Sequence, residues 1–243
     1  MSNLIDNKKV ALFVGCFANY YYPEVGMAAL EVLQKNDVDV IVPDQVCCGL
    51  PMMAKQNSKG TYKNMIYNAA KLQQKVAEGY VILTTCSSCS LFMKRNYVLY
   101  GNEDAVCVAN NTYHFSEYLL KLYKAGSMQT GFQTVSESVF YQTPCHLRAI
   151  RIGQPTIEIL RLVPGIILKH ISDQCCGMGG AYGFDKAHYR VSCEIGKTLT
   201  KQILASSVDR VVTDCGGCKL QIEAYCGCAA EHPLLLLQEA YGN

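Results

Sequence analysis

Short runs of β-branched residues recur along the chain, and each is followed within a few residues by cysteine. Six such runs predict strands, at residues 10–14, 38–42, 80–83, 138–141, 166–170 and 208–212. Longer segments between them carry apolar residues at helical spacing, which predicts helices over residues 23–35, 57–78, 155–162 and 185–205. Strand therefore alternates with helix, the order typical of a parallel sheet with right-handed crossovers.

Ten of the fourteen cysteines fall into two sets of five that keep one register. The first set is Cys16, Cys47, Cys48, Cys86 and Cys89, and the second is Cys145, Cys175, Cys176, Cys215 and Cys218. The offsets between corresponding members are 129, 128, 128, 129 and 129 residues. A register kept this closely over half of the chain indicates that a complete structural unit has been duplicated.

The pattern predicts an α/β fold of two tandem, duplicated Rossmann-like lobes with parallel sheets, related by pseudo-two-fold symmetry. We place the lobes at residues 1–128 and 129–243, because Gly126, Ser127 and Gly131 interrupt the pattern within residues 125–134. Ligands of open α/β sheets bind at the carboxyl ends of the strands. We therefore expect the five cysteines of each lobe to converge on one rim, with the two rims near a common cleft.

Each set combines a single cysteine, a vicinal Cys-Cys-Gly and a C-x-x-C. Thiolates are soft ligands that suit zinc or iron–sulfur clusters. Five sulfurs exceed a tetrahedral zinc site, and a vicinal pair suits a cluster with several iron corners better than a single ion. The pattern favours clusters, while zinc on four of the five thiols at one site stays open as an alternative. Gly49, Gly177, Gly179 and Gly180 would let backbone amides approach a cluster, or would simply form tight turns.

Five residues beside these motifs have two alternative interpretations or lie outside the repeat. His146 follows Cys145, where it would hydrogen-bond a cluster or relay protons, or only cap a helix start. Cys107, in a strand-like run at residues 105–108, and Cys193, in a helical segment, are expected to be small buried hydrophobes. Cys226 and Cys228 form a C-x-C pair that would touch the second cluster or act as a redox pair, but we expect both to be bystanders.

Composition restricts the class of function. The chain has 243 residues, half of them apolar, with only 17% charged residues and a net charge of +2, which supplies no basic surface for nucleic acid. No apolar run approaches the roughly 18 residues needed to cross a bilayer, and the N-terminal residues lack the order of a signal peptide. Without export, fourteen cysteines indicate metal ligands rather than disulfides. We expect a cytoplasmic protein, attached at most peripherally to the inner face of the cell membrane.

The paired motif resembles the cysteine-rich CCG domain found in the B subunit of heterodisulfide reductase, in glycolate oxidase iron–sulfur subunits and in lactate-utilisation protein A. The resemblance spans nearly the whole chain and is greatest to the C-terminal part of the C subunit of anaerobic glycerol-3-phosphate dehydrogenase. The segments that carry it are residues 16–20, 47–51, 143–146, 173–177, 181–184, 211–215 and 231–233.

The resemblance implies two four-iron clusters, since each complete motif of the heterodisulfide reductase relative holds a non-cubane cluster and a disulfide is cleaved between the two. It also implies that the protein is an electron-transfer subunit of a cytoplasmic oxidoreductase complex and is inactive alone. Such a subunit would pass electrons between a flavoprotein or ferredoxin-like partner and a quinone or disulfide acceptor. The glycerol-3-phosphate dehydrogenase relative also carries a ferredoxin-type domain, and the chain has no C-x-x-C-x-x-C run, so we expect a separate subunit to supply that relay. A catalytic disulfide reductase and a zinc-stabilised structural subunit stay open as alternatives.

Overall fold

The computed structural model describes residues 8–242, which divide into two compact units, one ending at Thr130 and the other beginning at Gly131. Most of the N-terminal segment that was compared with a signal peptide lies outside the described residues. Within the described part, no helix combines the length and the apolar character that a membrane span requires.

The first unit is built on a four-stranded parallel sheet with the order β2-β1-β3-β4. Its strands are β1 (Lys9–Phe13), β2 (Asp39–Ile41), β3 (Val81–Thr84) and β4 (Thr112–His114). Its helices are α1 (Gly15–Tyr20), α2 (Pro23–Lys35), α3 (Leu50–Ala54), α4 (Ser58–Ala77), α5 (Ser87–Leu91), α6 (Tyr97–Tyr100), α7 (Glu103–Asn110) and α8 (Phe115–Lys124). A π-helical segment, Phe92–Asn96, joins α5 to α6. Four consecutive residues of β1 and all four of β3 are buried, so both strands read as continuous apolar runs.

The second unit repeats this arrangement with the strand order β6-β5-β7-β8, again entirely parallel. Its strands are β5 (Ser138–Gln142), β6 (Ile167–Ser172), β7 (Arg210–Thr213) and β8 (Ala230–Glu231). Its helices are α9 (Cys145–Ile150), α10 (Pro155–Leu160), α11 (Tyr189–Leu204), α12 (Gly216–Cys226) and α13 (Pro233–Ala240). The two parallel sheets confirm the predicted α/β fold of duplicated, Rossmann-like lobes.

Parallel pairing brings the strand ends of each unit to one edge. In the first unit, Phe13 pairs with Thr84, the last residue of β3, and Thr84 pairs with His114. In the second, Gln142 pairs with both Ser172 and Thr213 at the ends of their strands. The loops that carry the cysteines leave from these edges, so residues far apart in sequence meet there.

The strand-like interpretation of residues 105–108 is wrong, because they belong to α7. The Asn102 side chain caps this helix by accepting a hydrogen bond of 3.1 Å from the Ala105 N–H, and acidic Glu103 and Asp104 occupy its first turn. Both features stabilise a helix start. Cys107 therefore lies on a helix that packs against α4.

Helix α11 begins at Tyr189, four residues later than residue 185 of the predicted helix. A 3₁₀ turn, Tyr182–Phe184, precedes it, and the Asp185 carboxylate then accepts a hydrogen bond of 3.1 Å from the Ala187 N–H. Such local side-chain bonds favour a turn over a helix.

Candidate metal centres

The five cysteines of the first unit occupy loops and helix starts that follow the strands. Cys16 is the second residue of α1, directly after β1, and Cys47 and Cys48 lie in the loop between β2 and α3. After β3, Cys86 has extended backbone as the residue preceding α5, and Cys89 lies in the first turn of that helix. Their thiols form one series of hydrogen-bonding contacts, which runs Cys16–Cys47–Cys48–Cys89–Cys86. The structure thus brings together residues that are spread over about half of the unit.

The second unit repeats the arrangement. Cys145 is the first residue of α9, and Cys175 and Cys176 follow β6. Cys215 precedes α12 with extended backbone, and Cys218 lies in its first turn. The contacts run Cys145–Cys175–Cys176–Cys218–Cys215, and the Cys176 and Cys218 sulfurs are 3.1 Å apart.

The first member of each vicinal pair is the thiol that most readily loses its proton. Hydrogen bonds from Cys16 and Cys48 hold the pKa of Cys47 well below its usual range. Hydrogen bonds from Cys145 and Cys176 do the same for the pKa of Cys175, helped by the Gly177 N–H at 3.3 Å and by the charge of Arg148. The pKa values of the adjoining thiols, Cys16 and Cys48 in the first unit and Cys145 and Cys176 in the second, are raised. Each site therefore favours a thiolate at the first member of its vicinal pair, the form of cysteine that binds metals.

The glycines after the vicinal pairs are explained first by backbone geometry. Gly49 has φ 110° and Gly177 has φ 91°, in the left-handed region that favours glycine. A Cβ on Gly177 would overlap the carbonyl oxygen of Ser192 in α11. Gly179 and Gly180 also have positive φ, within the turn that follows. Contact of these four glycines with a cluster stays a prediction.

His146, Cys193, Cys226 and Cys228 lie outside the two series of thiol contacts. His146 is half-buried in the first turn of α9, and its contact with a cluster stays a prediction. Cys193 donates a hydrogen bond of 2.9 Å to the Tyr225 hydroxyl. Cys226 contacts Cys228 at the end of α12, and burial raises the pKa of Cys226 to about 11. That neither of these two binds metal likewise stays a prediction.

A buried amide that the sequence reasoning missed holds the vicinal pair of the first unit. Asn68 in α4 accepts a hydrogen bond of 2.9 Å from the Val46 N–H and donates one of 3.2 Å to the Tyr97 hydroxyl. Tyr97 in turn donates to the carbonyl oxygen of Cys48 at 3.3 Å. The available signal was an asparagine on the apolar face of the predicted helix, since a buried amide needs partners.

A buried carboxylate, also missed, supports the C-x-x-C of the second unit. Asp214 directly precedes Cys215 and accepts hydrogen bonds from the Tyr141 hydroxyl at 2.5 Å and the Thr156 hydroxyl at 3.0 Å. Burial raises the pKa of Asp214 to about 6, although these two hydrogen bonds lower it. The corresponding position of the first unit is Thr85, which is uncharged.

Three observations fit a sulfur-ligated inorganic group. Each site offers five thiols, the donor type that iron–sulfur clusters use. A Cβ on Gly15 would lie 3.1 Å from the Cys89 sulfur, so glycine leaves the backbone close to that thiol. The Ser87 hydroxyl, inside the first C-x-x-C, is buried without a hydrogen-bond partner among the described residues. It is a donor placed next to sulfur ligands.

The thiols of Cys176 and Cys218 lie closer together than two ligands of one metal ion. A tetrahedral zinc with bonds of about 2.3 Å separates its sulfurs by roughly 3.8 Å, whereas Cys176 and Cys218 are 3.1 Å apart. Across residues 8–242, no group of three or more His, Cys, Asp or Glu side chains has the geometry of a metal-ion site. Binding of one metal ion by both Cys176 and Cys218 therefore requires their sulfurs to move apart.

A family model described as a cysteine-rich domain, CCG, matches the chain twice, at residues 10–94 and 139–223. The two matches contain all ten cysteines of the repeat. The chain belongs to the CCG cysteine-rich domain family. This confirms the family identified from the sequence motifs, and each match covers the sheet edge and thiols of one unit.

Three curated relatives are similar over most of the chain. The C subunit of anaerobic glycerol-3-phosphate dehydrogenase from Escherichia coli is 33% identical over 96% of this chain and 59% of its own length. The B subunit of fumarate reductase (CoM/CoB) from Methanothermobacter marburgensis is 32% identical over 88% of this chain and 42% of its own. An uncharacterised iron–sulfur protein of Methanococcus maripaludis is 28% identical over 90% of this chain and 42% of its own length. The chain thus spans about half the length of these relatives, two of which are oxidoreductase subunits by name.

Proposed function

We propose that the protein is an iron–sulfur electron-transfer subunit of a cytoplasmic oxidoreductase complex. It passes electrons between a flavoprotein or ferredoxin-like partner and a quinone or disulfide acceptor. The observation that carries this proposal is the set of five contacting thiols at the sheet edge of each unit. The names of the relatives, which include two oxidoreductase subunits and an iron–sulfur protein, support the same class.

Each unit would hold one four-iron cluster on its own five cysteines. A bound cluster supplies one-electron transfer at a potential set by its ligands, hydrogen bonds and solvent exposure. The protein's part is to hold Cys48, Cys86 and Cys89 in a buried environment, while Cys16 and Cys47 are partly exposed. The second unit divides its thiols in the same way, with Cys145 and Cys175 partly exposed. Each site therefore has one buried side and one side that a partner or acceptor can approach.

Direct disulfide reduction by this protein is the second candidate. The observation that favours it is the similarity of the chain to the B subunit of fumarate reductase (CoM/CoB). Reduction of a disulfide by the isolated, metal-replete chain would favour this candidate over an electron-transfer subunit that needs a partner.

The decisive experiment is metal and sulfide analysis of protein purified without oxygen, together with electron paramagnetic resonance. We expect a brown protein with about eight irons per chain, as two four-iron clusters require. Stoichiometric zinc with negligible iron and sulfide would show the proposal to be wrong.

Affinity purification of the tagged protein from its native cells tests the complex. We expect a flavin-containing or ferredoxin-type subunit to copurify with it. Turnover of a hydroxy acid or a polyol by the chain alone would contradict the role of an electron-transfer subunit.

A further inference from the structure

A cavity of about 340 Å³ lies beside Cys16 and Cys47 in the first unit. Its walls come from the end of β1 and the start of α1 on one side, and from the segment between β2 and the vicinal pair on the other. This volume is at the small end of the range for ligand sites, about 300 to 1,000 Å³. The cavity therefore suits a compact ligand, such as a molecule with a single ring. Its floor includes the two partly exposed thiols of the proposed centre.

The cavity lacks cationic side chains. Among the described residues that line it, none is Lys, Arg, His, Asp or Glu, and Val14, Val42 and Val46 supply apolar walls beside the thiols of Cys16 and Cys47. Asp44, although next to the lining segment in sequence, is turned to solvent with its side chain 79% exposed and lies 3.9 Å from Lys71. A carboxylate of a ligand would lose hydration in this cavity without gaining a cationic partner, whereas an uncharged ligand would not meet this cost.

Besides the two thiols and the Tyr20 side chain, the cavity is lined by two side-chain amides, those of Gln45 and Asn19. Gln45 donates hydrogen bonds of 3.1 Å to the carbonyl oxygens of Leu12 and Pro43, and its own oxygen accepts one of 3.2 Å from the Gly15 N–H. Its amide is therefore committed to holding the two walls together. Asn19 is exposed and uncharged at the opening.

The second unit carries an ion pair at the corresponding positions. In register with the cysteines, Asn19 corresponds to Arg148 and Gln45 corresponds to Asp173. These two side chains lie 3.2 Å apart as a salt bridge. The repeat therefore keeps its cysteines but differs in charge at the exposed side of the two thiol sites.

We propose that the cavity of the first unit is the acceptor site, and that it takes a compact uncharged ring such as a quinone in preference to a charged disulfide. This inference rests on the proposed function and decides between its two acceptor classes. A quinone bound there would take two electrons, delivered one at a time by the centre of the proposed function as the donor partner reduces it again, and two protons from solvent, and would become the hydroquinone.

Equilibrium dialysis of oxidised, anaerobically purified protein tests the site with two probes. Duroquinone is uncharged, and its fully substituted ring is protected from addition of thiols, whereas glutathione disulfide carries several charges. We expect one duroquinone to bind per chain at least ten times more tightly than glutathione disulfide. Tighter binding of glutathione disulfide would overturn the inference.

A matched pair of substitutions locates the ligand. Asn19→Arg copies the charge of the second unit into the cavity and should weaken duroquinone binding about tenfold, whereas Asn19→Ser should change it less than twofold. In the second unit, Arg148→Asn should also leave duroquinone affinity within twofold. Unchanged duroquinone binding in the Asn19→Arg protein would overturn the inference.

Val42→Asp, at a half-exposed position of the wall, is a second variant with the same expected loss, so the test does not depend on one protein folding. Iron and sulfide are measured on the same samples. Iron-loaded protein that binds no duroquinone would contradict this inference alone, and iron-free protein that binds it would contradict the proposed function alone.

Discussion

Ser87 gives the first thiol site a buried hydroxyl that the second site lacks. It lies between Cys86 and Cys89, is fully buried, and its hydroxyl lacks a hydrogen-bond partner within the described part of the chain. The corresponding residue of the second unit is Gly216, which has no side chain to donate. An unpaired buried hydroxyl costs about 1–3 kcal/mol, so it is expected to donate to any sulfur that becomes available beside it.

We predict that Ser87→Ala lowers the reduction potential of the first centre. Hydrogen bonds to cluster sulfurs stabilise the more negative, reduced state. One ordinary hydrogen bond contributes about 1 kcal/mol, which corresponds to roughly 40 mV for one electron. A redox titration followed by paramagnetic resonance measures the shift, and the signal of the second centre serves as the internal control. A shift in both signals, or in neither, would contradict this role of Ser87.

At the residue scale, the cysteines could be predicted from the sequence, but the buried polar residues that hold the cysteine loops in place could not. The ten cysteines could be identified because a repeated register is visible without coordinates. Asn68 and Asp214 could not, because their value depends on burial and on partners that lie 29 and 73 residues away in sequence, Tyr97 and Tyr141. A polar residue in the sequence gives no sign of such a role until the fold shows that it is buried.

Helix α11 passes unusually close to the vicinal cysteine loop of the second unit. A Cβ on Gly196 would lie 2.5 Å from the carbonyl oxygen of Cys176. The Ser192 hydroxyl donates a hydrogen bond of 2.8 Å to the carbonyl oxygen of Gly177, and the Gln221 amide of α12 donates one of 2.7 Å to Ser192. These contacts hold the loop, α11 and α12 together as one support for the thiols.

We predict that Gly196→Ala destabilises the protein despite its favourable effect on a helix. Alanine gains about 1 kcal/mol of helix propensity, but overpacking against the Cys176 carbonyl costs about 1–3 kcal/mol and displaces the cysteine loop. Urea unfolding should show a lower midpoint, and the second centre should lose iron before the first.

Gly131→Ala is the matched control, because a Cβ there meets no atom within 4 Å and the residue does not have positive φ. Its change should stay within about 0.5 kcal/mol. Equal effects of the two substitutions would mean that close packing of α11 does not support the site.

At the element scale, long periodic segments were predictable and short ones were not. Helix α2 has the predicted bounds, Pro23–Lys35, because proline starts it and its apolar residues face one side. Strands β4 and β8 are three and two residues long, too short for any alternation to appear. They are defined by pairing with β3 and β7, which only the folded sheet provides.

At the scale of the whole molecule, the two units share one arrangement of cysteines but differ in the residues around it. The thiol contacts follow the same order in both units, but the second has a buried carboxylate before its C-x-x-C and an ion pair beside its exposed thiols. The duplication of the cysteines could be predicted from their register in the sequence. The difference in charge was not, because Arg148 and Asp173 are unremarkable surface residues until the fold places them together.

Because each unit supplies its own five thiols, we predict that the two centres are lost separately. Cys48→Ser should remove or alter one spectroscopic signal and lower iron by about half, since each four-iron cluster has its own ligand set. Cys176→Ser should do the same to the other signal, and the double variant should show the sum of the two losses. Iron analysis and paramagnetic resonance of anaerobic protein measure each effect.

Cys107→Ser and Cys193→Ser are the matched controls for this series. Cys107 lies on α7 and Cys193 is bonded to Tyr225, and neither is part of the thiol contacts of its unit. Both variants should keep two signals and full iron, because a serine there removes no ligand. Loss of both signals in Cys48→Ser alone would mean that the units share one centre, and loss of either signal in a control would place a ligand outside the repeat. The first result would replace two local sites with one shared site, and the second would mean that the repeated cysteines alone do not define the ligand set.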